Sequence, residues 1–393
     1  MTESSRSKPD REPQPFSVGN DLHAHISGSI NASSLYDLIL QNGLNVSHKD
    51  QINLITETFG FRLSDAIQNN RAIAREQFAS AYSCPPNGKN RFEEVMQRFN
   101  LTSFLLKFPG IKSQVGESVA KDFRNNGVIY VEWRVDPFSG TQHESAEEGF
   151  EKLSEYYSGM KKVDLKSRFI LSVSKSRYKN SEGVNKKKIE FLTEQVNKII
   201  TFGKGIPIVG LDVSGAESVS LSAFKPYFDL ARIRNLGITP HVGEGTTSTL
   251  EEGLEDIDSA LDFQAKRLGH AMLAYIPLDS YLGNHDQYGR IYDGPRIKKL
   301  QTKQKEILGR IKEDNIVIEV CPTSNLSAHL GLNAYKDHPI GKLVESGISF
   351  VICTDDAGIF GRTLRQEINE LAQAKNLNVE QVIKASREHS FSR

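Results

Sequence analysis

The chain has 393 residues, which is long for one small hydrophobic core but usual for a barrel that carries insertions. Lysine plus arginine and aspartate plus glutamate number 49 each, so the net charge favours neither a nucleic-acid partner nor a membrane surface. Cys84, Cys321 and Cys353 are too far apart for a paired zinc-finger spacing, and no apolar run is long enough to cross a membrane. This composition predicts a cytoplasmic protein with no nucleic-acid or membrane partner.

Residues 1–20 are rich in serine, proline and charge and contain no apolar signal core, so we predict a flexible tail. Residues 21–393 are predicted to form a single domain. It contains eight apolar or β-branched runs, nearly all without the strict polar alternation of a half-exposed sheet, as expected of parallel strands covered by helices. The predicted strands span residues 21–25, 128–135, 169–173, 206–213, 238–241, 267–270, 316–320 and 350–354.

Between most of these strands, apolar and charged residues recur at helical spacing. Gly127, Gly237 and Gly347 each lie between such a helix and the next strand, where a C-terminal cap and a turn are needed. Eight strands that alternate with helices predict an α/β fold, a (β/α)₈ TIM-type barrel rather than an open sheet. The predicted connecting helices span residues 194–201, 221–235, 249–264, 298–313 and 364–374.

Two segments are longer than a connecting helix requires. Residues 271–296 contain several glycines and prolines and are predicted to form a long loop, which at this length is usually functional or disordered. Residues 31–126 are predicted to form a helical cap inserted after the first strand. The helical patterns in this insertion span residues 32–42, 50–59, 63–75, 91–107 and 115–125.

His23 and His25 stand one residue apart at the end of the first predicted strand. Side chains at i and i+2 of a strand point to the same side, so both imidazoles can converge on one metal ion. The alternative is a surface strand that carries two solvated rings. Further candidates decide between these interpretations, because titratable residues also lie at the carboxyl ends of the other predicted strands, where such barrels place catalytic groups.

Three histidines and one carboxylate suit a divalent transition metal, most simply zinc. The candidates are His23, His25, His241 and Asp355. Without a metal, His241 would be a hydrogen-bonded histidine at the barrel rim, and Asp355 with Asp356 would begin a helix. Asp355 follows a buried strand, where a lone charge needs a partner, and this favours the metal.

A metal-assisted reaction also needs groups that carry protons. Glu244 lies three residues after His241, and His270 ends the next predicted strand, so both can face the same cavity. The alternative for Glu244 is a solvated loop carboxylate, and the alternative for His270 is a ring that packs against its apolar neighbours.

Eight runs of this sequence resemble, in order, the motifs of the adenosine deaminase family within the amidohydrolase superfamily. Singly, the HxH and TDD runs occur across the wider superfamily, whereas the HxGE, LGH and CPxSN runs together are highly specific. The matching runs are DLHAHISGSI (21–30), YVEWR (130–134), VGLDVSGAE (209–217), HVGE (241–244), RLGH (267–270), EVCPTSN (319–325), HP (338–339) and TDD (354–356).

The resemblance implies one zinc ion per chain, held by the four candidate ligands, and hydrolytic deamination of an adenine nucleoside or nucleotide. In the family, the residue that matches Glu244 donates a proton to purine N1, and the residue that matches His270 acts on the water that the metal activates. The residue that matches Asp356 holds the base and the nucleophile in line, and the one that matches Gly215 meets the purine through its backbone. The HxE and PCxxC signature of cytidine-type deaminases is absent from the sequence.

Ser27 departs from the family pattern, because adenosine-specific members have an aspartate there that reaches the ribose 5′-hydroxyl. A carboxylate would repel a 5′-phosphate, whereas a serine hydroxyl can donate a hydrogen bond to it. We therefore predict a 5′-phosphorylated substrate such as AMP or dAMP slightly ahead of free adenosine. Several basic residues of the cap could supply the countercharge, and the sequence does not show which of them points inward: among them are Arg71, Arg75, Lys107 and Lys112.

Two other functions stay open at this point. One is an amidohydrolase of the same fold that cleaves another C–N bond or an ester bond. The other is a non-catalytic protein that keeps the pocket as a nucleotide sensor. Degenerate enzymes usually lose metal ligands or proton carriers, and since all of them are present here, the sequence favours an enzyme. An oligomer is compatible with the sequence.

Overall fold

The computed structural model describes residues 17–42, 52–53, 55–58, 60, 71–84, 91–141, 143–180, 183–215, 219–245, 249–283, 291–328 and 332–391. Each of the eight predicted strands is present close to its expected bounds, and a short antiparallel hairpin, β4 with β5, is added. The strands are β1 Gly19–His25, β2 Val128–Val135, β3 Lys166–Ser174, β4 Lys179–Asn180, β5 Gly183–Val184, β6 Ile208–Ser214, β7 Gly237–Ile238, β8 His241–Val242, β9 Arg267–His270, β10 Val317–Val320 and β11 Phe350–Ile352.

The parallel strands form a barrel from two hydrogen-bonded sets, in the orders β1-β2-β3-β6-β7 and β11-β10-β9-β8. The predicted fifth strand is divided into β7 and β8 at Pro240, which has no N–H to donate. The divided strand still joins the sets, because Thr239 donates to the Leu211 carbonyl and Gly269 donates to the Pro240 carbonyl. At the other seam, β1 and Asp355 exchange two backbone hydrogen bonds of 2.8 Å. The predicted barrel is therefore confirmed.

The helices cover the outside of the barrel with their apolar faces, and α1 to α4 lie in the predicted cap insertion. Among the described residues, no helix is both long and apolar enough to cross a membrane. The helices are α1 Ala32–Asn42, α2 Arg71–Tyr82, α3 Arg91–Leu105, α4 Ile111–Asn125, α5 Ala146–Met160, α6 Lys186–Phe202, α7 Lys225–Ile233, α8 Leu250–Asp262, α9 Gly294–Glu313, α10 Pro322–Ala328, α11 Gly341–Ser346, α12 Ala357–Phe360, α13 Leu364–Lys375 and α14 Val379–Glu388.

Several elements differ from the sequence-based predictions. Helix α6 begins eight residues earlier than expected, because the Asn185 side chain caps it by accepting from the Lys188 N–H. Asp293 caps α9 in the same way, so this helix begins inside the predicted loop 271–296. Helices α5 and α14 were not predicted. Residues 1–16 of the predicted tail, 284–290 of the loop, 50–51, 54 and 59 of the predicted helix 50–59 and 63–70 of the predicted helix 63–75 lie outside the described residues.

Phe391 closes the end of the barrel opposite to the strand carboxyl ends. The centroid of its ring lies 3.6 Å from the guanidinium carbon of Arg267. Its backbone N–H donates to Glu132 Oε1 at 2.7 Å, across 259 positions of sequence. A Cβ atom on Gly237 would lie 2.3 Å from this ring, so that position requires glycine. The C-terminal segment is thus part of the barrel's packing.

Candidate active site

Five side chains converge at the carboxyl ends of the barrel strands. The Nε2 atom of His241 lies 3.1 Å from Nε2 of His23 and 3.1 Å from Nε2 of His25. Asp355 Oδ1 lies 3.5 Å from His23 Nε2 and 3.4 Å from His25 Nε2. Asp355 Oδ2 lies 3.7 Å from Nε2 of His270. Imidazole and carboxylate atoms that face one point at these separations are the donor set of a divalent transition metal.

The ligand atoms of His23, His241, His270 and Asp355 all lie within 4.8 Å of one another. The predicted set had His25 where this group has His270. Since His25 contacts two members of the group, the structure brings all four predicted ligands together and adds His270. Which of the five bind the metal, and whether His270 instead carries a proton, stays a prediction.

Carboxylates behind the histidines set the direction of their rings. His23 Nδ1 lies 2.9 Å from Glu319 Oε2, and His241 Nδ1 lies 2.9 Å from Asp212 Oδ2. A carboxylate that accepts the Nδ1–H leaves the Nε2 lone pair free for a metal. Burial lowers the pKa of His241 and lowers the pKa of His25 to about 3, so both rings are neutral, as metal ligation requires. The residues therefore fit a zinc ion.

The backbone at this site is also unusual. His270 and Asp355 have φ angles of 58° and 61°, a left-handed backbone conformation that residues other than glycine rarely adopt. Such strain persists where the surrounding structure holds it, and it is concentrated at functional sites. His270 is held further by Asn325, whose Nδ2 lies 3.1 Å from its Nδ1, while His338 Nε2 lies 3.3 Å from Asn325 Oδ1. The CPxSN and HP motifs thus support His270.

Below the histidines, a group of buried charged side chains crosses the barrel interior. Arg134 donates to Asp212 at 3.0 Å and to Glu319 at 2.5 Å. Arg267 donates to Glu319 at 2.6 Å and also to Glu132. Although burial raises it, the hydrogen bond from the His241 ring and the charge of Arg134 hold the pKa of Asp212 well below its usual value. We call these residues the floor network: Glu132, Arg134, Asp212, Arg267 and Glu319.

Asp356 and Glu244 line the same cavity as the histidines. Asp356 is buried, and its Oδ1 accepts no hydrogen bond from the residues that the structure describes. Burial, and then the charges of Asp355 and Glu244, raise the pKa of Asp356 well above its usual value. A Cβ atom on Gly28 would lie 1.8 Å from Asp356 Oδ1, so glycine is needed there. A buried carboxyl group of this kind is available to a ligand.

The cavity has a volume of about 380 Å³, within the range of small-molecule sites. The predicted substrate contacts Ser27 and Gly215 both line it. Phe99 of the cap helix α3 and Phe360 of α12 add apolar surface, which suits a flat ring. Every predicted catalytic and substrate-binding residue therefore faces one cavity.

Three of the four basic side chains predicted from the cap, Arg75, Lys107 and Lys112, do not line this cavity. Arg75 pairs with Asp37 at 2.5 Å, and Lys112 pairs with Glu155 at 3.4 Å. Lys107 is exposed, and the side chain of Arg71 lies outside the described part of the structure. For the three described side chains, the expectation was wrong, because sequence position in the cap does not fix the direction of a long side chain.

Lys152 of α5 and Arg177, which follows β3, line the cavity instead. Sequence reasoning missed both. The available signal was the pattern of α5, where Lys152 falls on the buried face with Gly149 and Tyr156, three residues before and four after it. A lysine on the apolar face of a helix indicates a buried charge that needs an explanation.

Comparisons with known proteins agree with this geometry. A family model described as adenosine deaminase matches residues 84–390 of the chain. The adenosine deaminase of Clostridium perfringens (strain SM101) is 24% identical over 370 residues, which are 92% of this chain and 89% of that protein. The crystal structure of an arabidopsis N6-mAMP deaminase matches with a TM-score of 0.65 at 21% identity, over 97% of this chain and 95% of that one.

The crystal structure of arabidopsis ADAL complexed with IMP matches similarly, with a TM-score of 0.64 and 21% identity over 97% of this chain and 93% of that chain. These structural likenesses bear on the fold, and the family model covers well over half of the sequence. The chain belongs to the adenosine deaminase family and is a hydrolase of that family with a metal site of histidines and aspartate.

Proposed function

We propose that the protein catalyses the zinc-dependent hydrolytic deamination of the 6-amino group of an adenine nucleoside or nucleotide, which gives the inosine form and ammonia. The observation that carries this proposal is the position of Glu244 and Asp356 on the same cavity as the metal ligands. An amidohydrolase that cleaves an ester or another C–N bond would have no adenine ring for these two carboxyl groups to address.

Zinc held by the four predicted ligands would supply a Lewis acid and lower the pKa of a water molecule. His270 faces the same point through Nε2, where it orients the attacking water or takes its proton. Glu244 donates a proton to N1 of the purine ring. Asp356 holds the base in line with the nucleophile, and the Gly215 backbone contacts the purine.

A panel of purines tests this function. The protein, with zinc content known from elemental analysis, is incubated with adenosine, deoxyadenosine, AMP, dAMP, N6-methyl-AMP and adenine, and absorbance at the adenine maximum is followed. We expect deamination of at least one nucleoside or nucleotide. Nucleotide binding without turnover would support a sensor, and turnover of esters or amides alone would support the other amidohydrolase function.

Within this class, we propose a 5′-phosphorylated substrate. Ser27 lies at the cavity, two residues after His25, where a carboxylate would repel a phosphate by about 4 kcal/mol per charge pair at 4 Å in a partly screened site. The matched variants are Ser27→Asp and Ser27→Asn, which differ in charge but little in size. We expect Ser27→Asp alone to lower kcat/KM for AMP relative to adenosine, by at least about tenfold. A tenfold preference for adenosine that Ser27→Asp leaves unchanged would contradict this choice.

A further inference from the structure

Lys152 carries a buried charge that no carboxylate among the described residues contacts directly. Only 5% of the residue is exposed. Its Nζ donates to the backbone carbonyls of Asp136 at 2.8 Å and Ser139 at 2.5 Å. No carboxylate of the described residues lies within 4 Å of this nitrogen, and burial lowers the pKa of Lys152 to about 8. A buried ammonium group without a counter-ion is costly.

The neighbouring cations have partners of their own. Arg177 lies 3.0 Å from Asp136 and 3.7 Å from Glu144, and Lys112 lies 3.4 Å from Glu155. Glu144 also lies 3.8 Å from Lys188, so the three carboxylates already pair with three other cations, and the positive charge of Lys152 is left over. This surplus charge lies on the wall of the cavity that holds the candidate active site.

Lys152 and Ser27 reach the cavity from the ends of neighbouring strands. His25 at the end of β1 pairs with Arg134 of β2, and the Ile26 N–H donates to the Arg134 carbonyl at 3.2 Å. Ser27 lies in the turn that follows β1, and Asp136, whose carbonyl accepts from Lys152, is the first residue after β2. Both Ser27 and Lys152 line the cavity, so a ligand there meets the Ser27 hydroxyl and the ammonium group at the ends of two adjacent strands.

Hydroxyl groups surround this part of the cavity. Ser27, Ser139 and Ser174 all line it, on the ends of three neighbouring strands or the loops that follow them. A single buried cation among hydroxyl donors is suited to the non-bridging oxygens of a phosphomonoester. In a nucleotide, this group is at the opposite end from the 6-amino group, and Lys152 hydrogen-bonds to the Asp136 and Ser139 carbonyls rather than to a candidate metal ligand.

We infer that Lys152 is the cationic contact for the 5′-phosphate of the substrate, with Ser27 and Ser139 as neighbouring hydroxyl donors. This inference rests on the proposed function, because it assigns the phosphate end of that substrate. The competing explanation is that Lys152 only fastens the loop after β2 through the two carbonyls. The two explanations differ in one respect, because a lysine that only holds the loop in place affects the binding of nucleoside and nucleotide equally.

The test compares Lys152→Gln, which keeps a donor but removes the charge, with Lys152→Arg, which keeps the charge. Lys112→Met is the matched control, because Lys112 pairs with Glu155 and does not line the cavity. Dissociation constants for IMP and inosine are measured by calorimetry, together with kcat/KM for AMP and adenosine. We expect Lys152→Gln to weaken IMP binding roughly 10- to 100-fold and inosine binding less than about threefold. Lys152→Arg should retain most of the IMP preference, and Lys112→Met all of it.

If Lys152→Gln weakens the binding of IMP and of inosine equally, Lys152 only holds the loop in place and the inference is overturned. Unchanged IMP binding would overturn it as well. If neither AMP nor adenosine is deaminated while IMP binding still depends on Lys152, the proposed function fails and the phosphate contact stands. If the variants do not fold, the wild-type protein gives the answer. Its preference for IMP over inosine should fall from pH 7 to pH 10 as Lys152 loses its proton beside Asp136, Lys112 and Arg177. A constant preference would overturn the inference.

Discussion

The floor network and two ionisable groups on the cavity wall, Lys152 and Asp356, differ in the partners of their polar atoms. In the floor network, each arginine contacts two carboxylates. On the cavity wall, Lys152 donates only to carbonyl groups, and Asp356 Oδ1 has no partner among the described residues. A buried unbalanced charge costs free energy, which a ligand of opposite charge or a hydrogen-bond donor can offset. The comparison therefore separates the charges that orient the histidines from the ionisable groups that face the cavity, where we propose that the substrate binds.

Replacing Asp355 by Ala should have the largest effect, because it removes the carboxylate that contacts three histidines. We expect a fall from about one zinc ion per chain to little bound metal, with loss of turnover. Elemental analysis of the purified variant measures this. Asp356→Asn is the control, since Asp356 faces the substrate and should leave the metal in place. Full zinc occupancy in Asp355→Ala would refute the metal assignment.

The next largest effect is expected from Glu244→Gln, which keeps the shape of the cavity but removes a transferable proton. Turnover should fall by roughly 10²–10⁴-fold, while zinc content and IMP binding stay close to those of the wild type. Steady-state kinetics and calorimetry on the same preparation separate the two properties. Near-normal turnover would mean that Glu244 is not the proton donor.

The floor network is tested by Glu319→Gln, which removes the carboxylate shared by Arg134, Arg267 and His23. Metal affinity should fall roughly 10- to 100-fold, because the His23 ring loses its orienting partner. The free energy of unfolding should fall by about 3–5 kcal/mol, because two buried arginines lose a counter-ion. Chelator competition and urea unfolding measure these quantities, with Glu313→Gln on the exposed end of α9 as control. Unchanged metal affinity would limit the floor network to a packing role.

A smaller effect, on stability alone, is expected at Glu367, an unbalanced buried carboxylate that does not line the cavity. Burial raises its pKa to about 7 from 4.5. A raised pKa in the folded state favours folding below pH 4.5 and loses that contribution as pH rises through 7. Glu367→Gln should therefore gain stability relative to the wild type between pH 5 and pH 8, by about 3 kcal/mol at the upper end.

Urea unfolding at several pH values measures this gain. The control is Glu370→Gln, a partly exposed carboxylate that pairs with Arg362 and should show no such trend. If the difference in the free energy of unfolding between Glu367→Gln and the wild type does not change with pH, the carboxyl group is stabilised by contacts equivalent to a counter-ion. The cost of an unbalanced charge, on which the comparison depends, would then be smaller than argued.

The barrel strands could be predicted because buried parallel strands are near-continuous apolar runs that alternate with helices. The position of the site could be predicted because its residues lie at the carboxyl ends of those strands. The length of helix α6 was underestimated for a physical reason. Its first turn holds Lys186, Lys187 and Lys188, which oppose the helix dipole, so the capping by Asn185 was not recognised as a start. Interruption of the fifth strand at Pro240 was likewise encoded in the sequence, by the missing N–H.

The partners of long basic side chains could not be predicted, because they depend on packing between elements that are distant in sequence. Arg75 pairs with Asp37 on another cap helix, whereas Lys152 reaches the loop after β2 because α5 lies across it. The same holds for the support of His270 by Asn325, which joins residues 55 positions apart. The CPxSN motif indicated that Asn325 has a functional role, and only the structure shows that it contacts His270.

The position of Phe391 has a consequence for the time course of synthesis. Its N–H donates to Glu132 and its ring covers Arg267, so the underside of the barrel is closed by a residue that follows Glu132 by 259 positions. At 5–20 residues per second, a ribosome adds Phe391 roughly 13–50 s after Glu132. Until Phe391 is added, neither charge has this cover, so a nascent chain that already holds the barrel strands cannot yet complete the dry interior.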